Sequence, residues 1–327
     1  MIDEPILLSF CLPVRRHIRS IHDSVECIIL SCKLAQFSSF EICIVDNSAT
    51  SNRDAVYSLF SDEICQKIKY YHNTREIGPS ENILNSLRYS SGAFRWLLGD
   101  DFLLPHAVSR LLPYLSSDYF CISTGWISDW KNQKTRRQNL DLKNLFLHQS
   151  DVETKDPGSL LVARGGSFGF MSTLVFNSKY LELSRPLSWS SIGKYHRHAR
   201  WGQIDILLRS SKRCSSAVHI STPLVIDAHF SYPPTVNNPD PWCDDTYTAN
   251  LWTSLTSENV LRKRDIYRIL KNFYLYVYCD PLSIRQVLSI LFSGYKHARQ
   301  RKLPLFLLIF AVMIFVPLLT RSTIRIT

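Results

Sequence analysis

Two adjacent carboxylates, Asp100 and Asp101, stand directly behind an apolar run in FRWLLGDDFLLPHAV, residues 94–108. A third, Asp46, closes another apolar run in EICIVDN, residues 41–47. Short apolar runs bounded by turn-forming residues read as buried strands, so all three acids belong at strand ends. In an open α/β sheet, ligands bind beyond the carboxyl ends of the strands, where the strand order reverses. A strand-end carboxylate can accept hydrogen bonds from a base or a ribose hydroxyl, and one in the following turn can take a divalent cation. Mg²⁺ typically uses one or two carboxylates and fills its other positions with phosphate oxygens and water. The chemistry these residue types allow is the binding of a metal-chelated nucleotide diphosphate. The alternative is that one of the pair caps the next helix, since Asp is a good N-cap and favours the positive end of a helix.

The elements that must hold these acids alternate along the first 125 residues. ILLSFCL (6–12) ends at Pro13, and SIHDSVECIILSCKLA (20–35) has apolar residues at helical spacing. Then come the strand EICIVDN, the helix RDAVYSLF (53–60), the strand KIKYY (67–71) and the helix SENILNSLRYS (80–90), with Ser80 as its expected N-cap. The strand FRWLL (94–98), the acidic pair, the helix PHAVSRLLPYL (105–115) and the strand YFCIST (119–124) complete the series. This rhythm predicts a doubly wound, mostly parallel sheet with helices on both faces. Beyond it lie a polar stretch at 129–144, a glycine-rich loop ARGGSFGF (163–170) leading into a strand MSTLVF, a helix at 200–209, a strand AVHISTPLVI (217–226) and a helical region from 244 to 300.

The balance of charge locates a second property. The chain of 327 residues has a formal net charge of +10, yet residues 261–327 hold twelve Lys/Arg against two acids, leaving 26 of each sign in residues 1–260. A neutral body offers no channel for nucleic acid. Within the basic tail, YKHARQRK (295–302) precedes an uncharged apolar run at 303–319, and RSTIR follows. An apolar run with basic clusters at both ends is read as a membrane-associating segment, with a buried core helix as the alternative. The N-terminal MIDEPILLSFCLP starts acidic and has too short an apolar run for a signal peptide, which assigns the body to the cytoplasmic face of the membrane. The nine cysteines form no C-x-x-C pair and read as reduced core thiols.

Residues 6–120 resemble the glycosyltransferase family 2 domain of the GT-A type. The likeness rests on LLSFCLPV at the first strand, EICIVDNSAT at the second, NTREIGPSENIL at the third turn and WLLGDD at the acidic motif. Gly78, Pro79 and Asn82, together with GGSFGFMSTLVF (165–176), SIGKYHRH (191–198) and HISTPLVI (219–226), are similar to the branch that includes abequosyltransferases of O-antigen assembly. The resemblance implies a nucleotide-binding half at 1–125 and an acceptor-binding half of the same domain at 126–230; outside it lie the helical region at 231–300 and the membrane segment at 301–327. It implies that Leu12 and Pro13 line the nucleotide pocket, that Asp46 bonds the base, that Gly78 and Asn82 shape the ribose side, and that Asp100 holds the ribose. Asp101 then carries Mg²⁺ or Mn²⁺. Two departures are visible: Val14-Arg15-Arg16-His17 replaces the usual Thr-Tyr-Asn-Arg, and Phe102 stands where a last metal-binding Asp is common.

The implied reaction moves a sugar, possibly a deoxy or dideoxy hexose, from a nucleotide-diphosphate donor to a lipid-linked saccharide, with inversion. Such a transfer needs a base for the acceptor hydroxyl. Asp205 in RWGQID and His198 in KYHRHARW are the two candidates, each with an ordinary surface role as its alternative. Gly166, Phe168 and Phe170 form the expected acceptor loop, since aromatic faces pack against sugar rings, and Trp126 is either a stacking platform or a core residue. GDD between apolar residues also resembles the metal-binding hairpin of RNA polymerases, but a helix, not a return strand, is expected behind it. The remaining alternative is a membrane-bound scaffold that keeps this fold without catalysis.

Overall fold

The computed structural model describes residues 5–15, 18–75, 77–99, 101–127, 151–154, 171–184, 202–211, 213–214 and 216–226. The first strand, β1 (Leu8–Val14), is central to a sheet that continues through β2 (Phe40–Asp46) to β3 (Ile68–His72) on one side and to β4 (Phe94–Leu97) on the other, all parallel. Every residue of β2 is buried, as expected for a strand covered on both faces. Between β1 and β2 runs α1 (Ile18–Leu34), whose Ile21, Val25, Ile28 and Cys32 recur at helical spacing and are buried against the sheet. Two short helices, α2 (Arg53–Tyr57) and α3 (Asp62–Cys65), connect β2 to β3, where the pattern predicted one continuous helix.

The helix α4 (Pro79–Tyr89) starts one residue before the expected Ser80 cap. Pro79 occupies its first turn, where a missing N–H costs nothing, and Gly78 becomes the N-cap. Beyond β4, two residues of strand, β5 (Phe102–Leu103), precede α5 (Ala107–Leu111), so the expectation of a helix directly behind the acids is corrected. Pro113 cannot continue an α-helix, and the predicted PHAVSRLLPYL helix accordingly tightens into a 3₁₀ turn at Leu112–Tyr114. Next follow β6 (Cys121–Ile127), β7 (Val152–Thr154), a 3₁₀ turn at Met171–Thr173, β8 (Leu174–Asn177), α6 (Gly202–Ser210) and β9 (Ala217–Ile226).

The strands form one sheet in the order β3-β2-β1-β4-β8-β6-β9-β5, with β7 also on β9. The predicted mostly parallel character holds for the first half alone. β8 runs antiparallel to both β4 and β6, β5 and β7 run antiparallel to β9, and only β6–β9 is parallel there. The sheet must also curl. Between Leu97 and Phe102 the chain takes five steps, a reach of at most about 18 Å, whereas β4 and β5 lie four strand spacings apart, roughly 19 Å on a flat sheet. At the centre of the core, Trp96 stacks on Phe10 at 5.9 Å between centroids, and Phe40 meets Phe10 edge-on at 6.0 Å.

Candidate functional site

β1 is the point where the strand order reverses, because β2 and β3 extend the sheet one way and β4 the other. A cleft at the carboxyl ends of β1 and β4 is therefore the expected ligand position. The pairing of β1 with β4 stops short of this edge for a local reason. Cys11 turns its carbonyl toward β4 and accepts from Leu98 N at 2.9 Å, so the residue two further on should offer the next N–H to the Leu98 carbonyl. That residue is Pro13, which has none. Register pairing stops at Cys11↔Leu97, and the Leu98 carbonyl accepts instead from the Ser172 hydroxyl at 2.5 Å.

Beyond Leu98, Gly99 adopts φ +64°, the left-handed region that glycine enters at no steric cost. The turn brings Asp101 into a buried position, 5% exposed, where its carboxylate accepts from Ser172 Oγ. Phe102, by contrast, is committed to strand pairing with Ile226. Asp100 lies outside the described residues, as do Gly166, Phe168, Phe170 and His198.

Asp46 sits at the same edge, paired with Val14 and His72 in the flanking strands. It is wholly buried, and its carboxylate gathers the loop that follows. Ser48 N donates to Oδ1 at 2.8 Å; Asn52 N and Nδ2 donate to Oδ2 at 3.2 and 3.0 Å, and Tyr70 OH adds a further bond to Oδ2. Burial alone would raise the Asp46 pKa, but the donors from Ser48, Tyr70 and Asn52 outweigh it and hold the carboxyl below its ordinary range. Asp46 thus acts first as the clamp of the 47–52 loop, and a base contact would have to displace one of these donors.

Leu12 is fully buried in the apolar core, and Pro13 beside it is half-buried. Asn82, one turn into α4, donates through Nδ2 to the carbonyls of Val14 at 3.4 Å and Val45 at 3.2 Å, and accepts from Asn73 Nδ2 at 2.8 Å. Gly78 is buried at the head of that helix. Sequence reading missed Asn47 and Asn73. Asn47 donates to the Ile77 carbonyl at 2.6 Å and accepts from Ile77 N at 2.9 Å, so the backbone entering α4 is tied to the end of β2. Asparagines after strand ends were the available signal, since each can mimic a missing backbone partner.

Asp205 lies within α6, whose first residue packs on the first turn of α4. Gly202 N donates to Ser80 Oγ at 2.9 Å, and a Cβ on Gly202 would stand 2.7 Å from Ser80 Cβ. The helix carrying the candidate base therefore starts beside the helix that borders the cleft. Trp126 is half-buried, just past a pair of register shifts in β6 at Gly125.

The donor set suits a divalent cation of the kind that draws most of its ligands from phosphate and water: one buried carboxylate in a turn at the cleft, with a neighbouring acid in sequence. Among the described residues no group of three or more His, Cys, Asp or Glu is gathered. The seven cysteines among the described residues are all free thiols. None of the described helices is long and apolar enough to cross a membrane, and the apolar run at 303–319 lies outside the described residues.

In fold the chain is similar to residues 1–349 of S. aureus TarS, with a TM-score of 0.58 over 90% of this chain and 80% of that one, at 9% identity. The same protein in complex with UDP-GlcNAc gives 0.56 over 90% and 81%, at 8% identity. In sequence, 198 residues are 25% identical to abequosyltransferase RfbV of Salmonella typhimurium, a match that spans 55% of this chain and 59% of that relative. Residues 9–175, which run from β1 to β8 and include the acidic turn, match the family model of glycosyl transferase family 2, and the chain belongs to that family.

Proposed function

We propose that the protein transfers a sugar from a nucleotide-diphosphate donor to a lipid-linked saccharide in the assembly of a surface polysaccharide. The observation that carries this reading is the placement of Asp101 at the carboxyl edge of the sheet, where β1 and β4 part at the reversal of strand order. Support comes from two relatives: the abequosyltransferase similar in sequence, and TarS, which shares the fold and has been crystallised with UDP-GlcNAc. The first of these supports a deoxy or dideoxy hexose as the transferred sugar.

In this reading the base and ribose lie between the 47–52 loop held by Asp46 and the head of α4 at Gly78 and Asn82, with Pro13 at the rim. Asp100 faces the ribose, and Asp101 binds Mg²⁺ or Mn²⁺ together with the diphosphate. A bound divalent cation supplies charge neutralisation to the departing diphosphate. Asp205, or His198 in its place, accepts the proton of the attacking acceptor hydroxyl, and inversion follows from attack opposite the leaving group. Gly166, Phe168 and Phe170 border the acceptor sugar. The basic, apolar tail places the enzyme at the cytoplasmic surface of the membrane, where its lipid-linked acceptor is confined.

Calorimetric titration of the full-length protein in detergent with UDP, CDP, dTDP and GDP, with and without Mn²⁺, tests the reading. One nucleotide is expected to bind in a metal-dependent manner, and Asp101→Ala is expected to abolish the metal dependence. If none binds to a well-folded sample, the transferase reading falls and a scaffold that keeps only the fold takes its place.

A further inference from the structure

The 171–173 turn meets the acidic turn at three separate places. The Met171 methyl fills the space beside Gly99, 2.3 Å from where a Cβ would stand. Trp96 Nε1 donates to the Ser172 carbonyl at 2.8 Å, which ties the backbone of that segment to β4. The Ser172 hydroxyl faces two acceptors, the Leu98 carbonyl at 2.5 Å and the Asp101 carboxylate. Ser172 is wholly buried.

A hydroxyl carries one hydrogen, so Ser172 can satisfy either acceptor fully or divide its hydrogen between them. A serine whose own backbone is anchored by a buried indole has little freedom to follow a moving carboxylate. It therefore selects one orientation of Asp101. With the hydrogen given to Oδ2, the second oxygen, Oδ1, is the one presented to a cation, and the hold on the carboxylate persists when the cation binds. We propose that Ser172 is a positioning residue that orients the Asp101 carboxylate toward the cation of a metal-chelated nucleotide diphosphate. The inference rests on the reading of the acidic turn given above, and it assigns to a residue 71 positions downstream a share in donor binding. Partners that orient a metal-binding group in this way typically change metal affinity by about 10–100-fold.

The test uses full-length protein in detergent and whichever of UDP, CDP, dTDP or GDP binds the wild type best, titrated with and without Mn²⁺. Ser172→Ala is expected to weaken the Mn²⁺-dependent affinity by about tenfold or more and to leave the metal-free affinity unchanged. Ser172→Thr, which keeps the hydroxyl, is expected to restore the metal-dependent part. Should the alanine variant fail to fold, Ser172→Cys keeps the volume with a much weaker donor, and the same split is expected of it. Equal weakening with and without metal would mark Ser172 as a packing residue only and overturn the proposal, as would wild-type behaviour of the alanine variant. Absence of any nucleotide binding by the wild type would remove the reading of the site itself, and the proposal with it.

Discussion

Tyr70 hands its hydroxyl hydrogen to Asp46 and accepts from Asn52 N at 2.9 Å, which places a phenol at the hinge between the end of β2 and the loop beside the cleft. Both burial and the neighbouring carboxylate raise the pKa of that phenol, so it remains a donor throughout the physiological range. Tyr70→Phe removes a hydrogen bond to a charged, buried acceptor and should cost about 2 kcal/mol, read as a lower denaturant midpoint with an unchanged slope. Nucleotide affinity should fall with it, because the 47–52 loop loses one of its ties. An unaltered midpoint would show that Asn52 and Ser48 alone suffice to hold Asp46. At this scale the sequence was most informative about the acids themselves. EICIVDN and WLLGDD announce strand ends by composition; Asp46 closes β2, and Asp101 lies in the turn that follows β4. What Asp46 does there was not legible, because its partner Tyr70, which also holds Asn52, is brought to it by the β2–β3 pairing, which no local pattern encodes. Ser172 was equally invisible, as one serine in an apolar segment whose role depends on a turn 71 residues earlier.

The elements show a second polar layer, at the edge of the sheet opposite the cleft. Glu41, near the start of β2, is 2% exposed and accepts from Ser9 Oγ at 2.6 Å, from Ser91 N and Oγ at 2.5 and 2.8 Å, and from Lys69 Nζ at 2.6 Å. It thereby joins β1, β2, β3 and the turn before β4. Burial pushes the Glu41 carboxyl up, but the donors from Lys69, Ser9 and Ser91 together bring it below its ordinary value. A carboxyl depressed in the folded state contributes stability above its unfolded pKa of about 4.3 and loses it as pH falls through the folded value. Wild-type melting temperature should accordingly drop below about pH 4 more steeply than that of Glu41→Gln. At pH 7 the variant should be less stable by about 2 kcal/mol, since it leaves buried donors poorly matched. Parallel pH profiles of the two proteins would contradict this account. Element identity in this half was legible: β1, β2, β4 and α1 follow from apolar runs and helical spacing. The boundaries that moved did so for local reasons also present in the sequence, Pro79 at the head of α4 and Pro113 at the end of α5. The antiparallel insertion of β8 was not legible, because a four-residue strand, LVFN, carries no information about its direction.

For the whole molecule, the relevant division is electrostatic. Residues 1–260 are neutral and the remaining 67 carry the entire net charge of +10. Near an anionic leaflet each basic residue adds about 1 kcal/mol of attraction. Full-length protein should therefore co-sediment with vesicles containing phosphatidylglycerol and much less with neutral vesicles. Release by high salt would indicate a surface-bound tail, retention an inserted one, and no preference for anionic vesicles would refute the electrostatic account.

Pro13 has a consequence that reaches past the cleft it opens. A sheet grows like a zip, each paired N–H drawing the next residues into register, and β1 and β4 run side by side in the right direction for this to continue. Any residue with an amide hydrogen at position 13 would offer the Leu98 carbonyl a ladder partner. The two strands could then close by one more notch, pulling straight the turn that now bends away at Gly99. Ser172 would have to share the Leu98 carbonyl with a new ladder donor, and the carboxylate of Asp101 would be drawn along with the closing strand. The missing hydrogen of a single imino acid thus acts as the stop that keeps this sheet from healing over its own site.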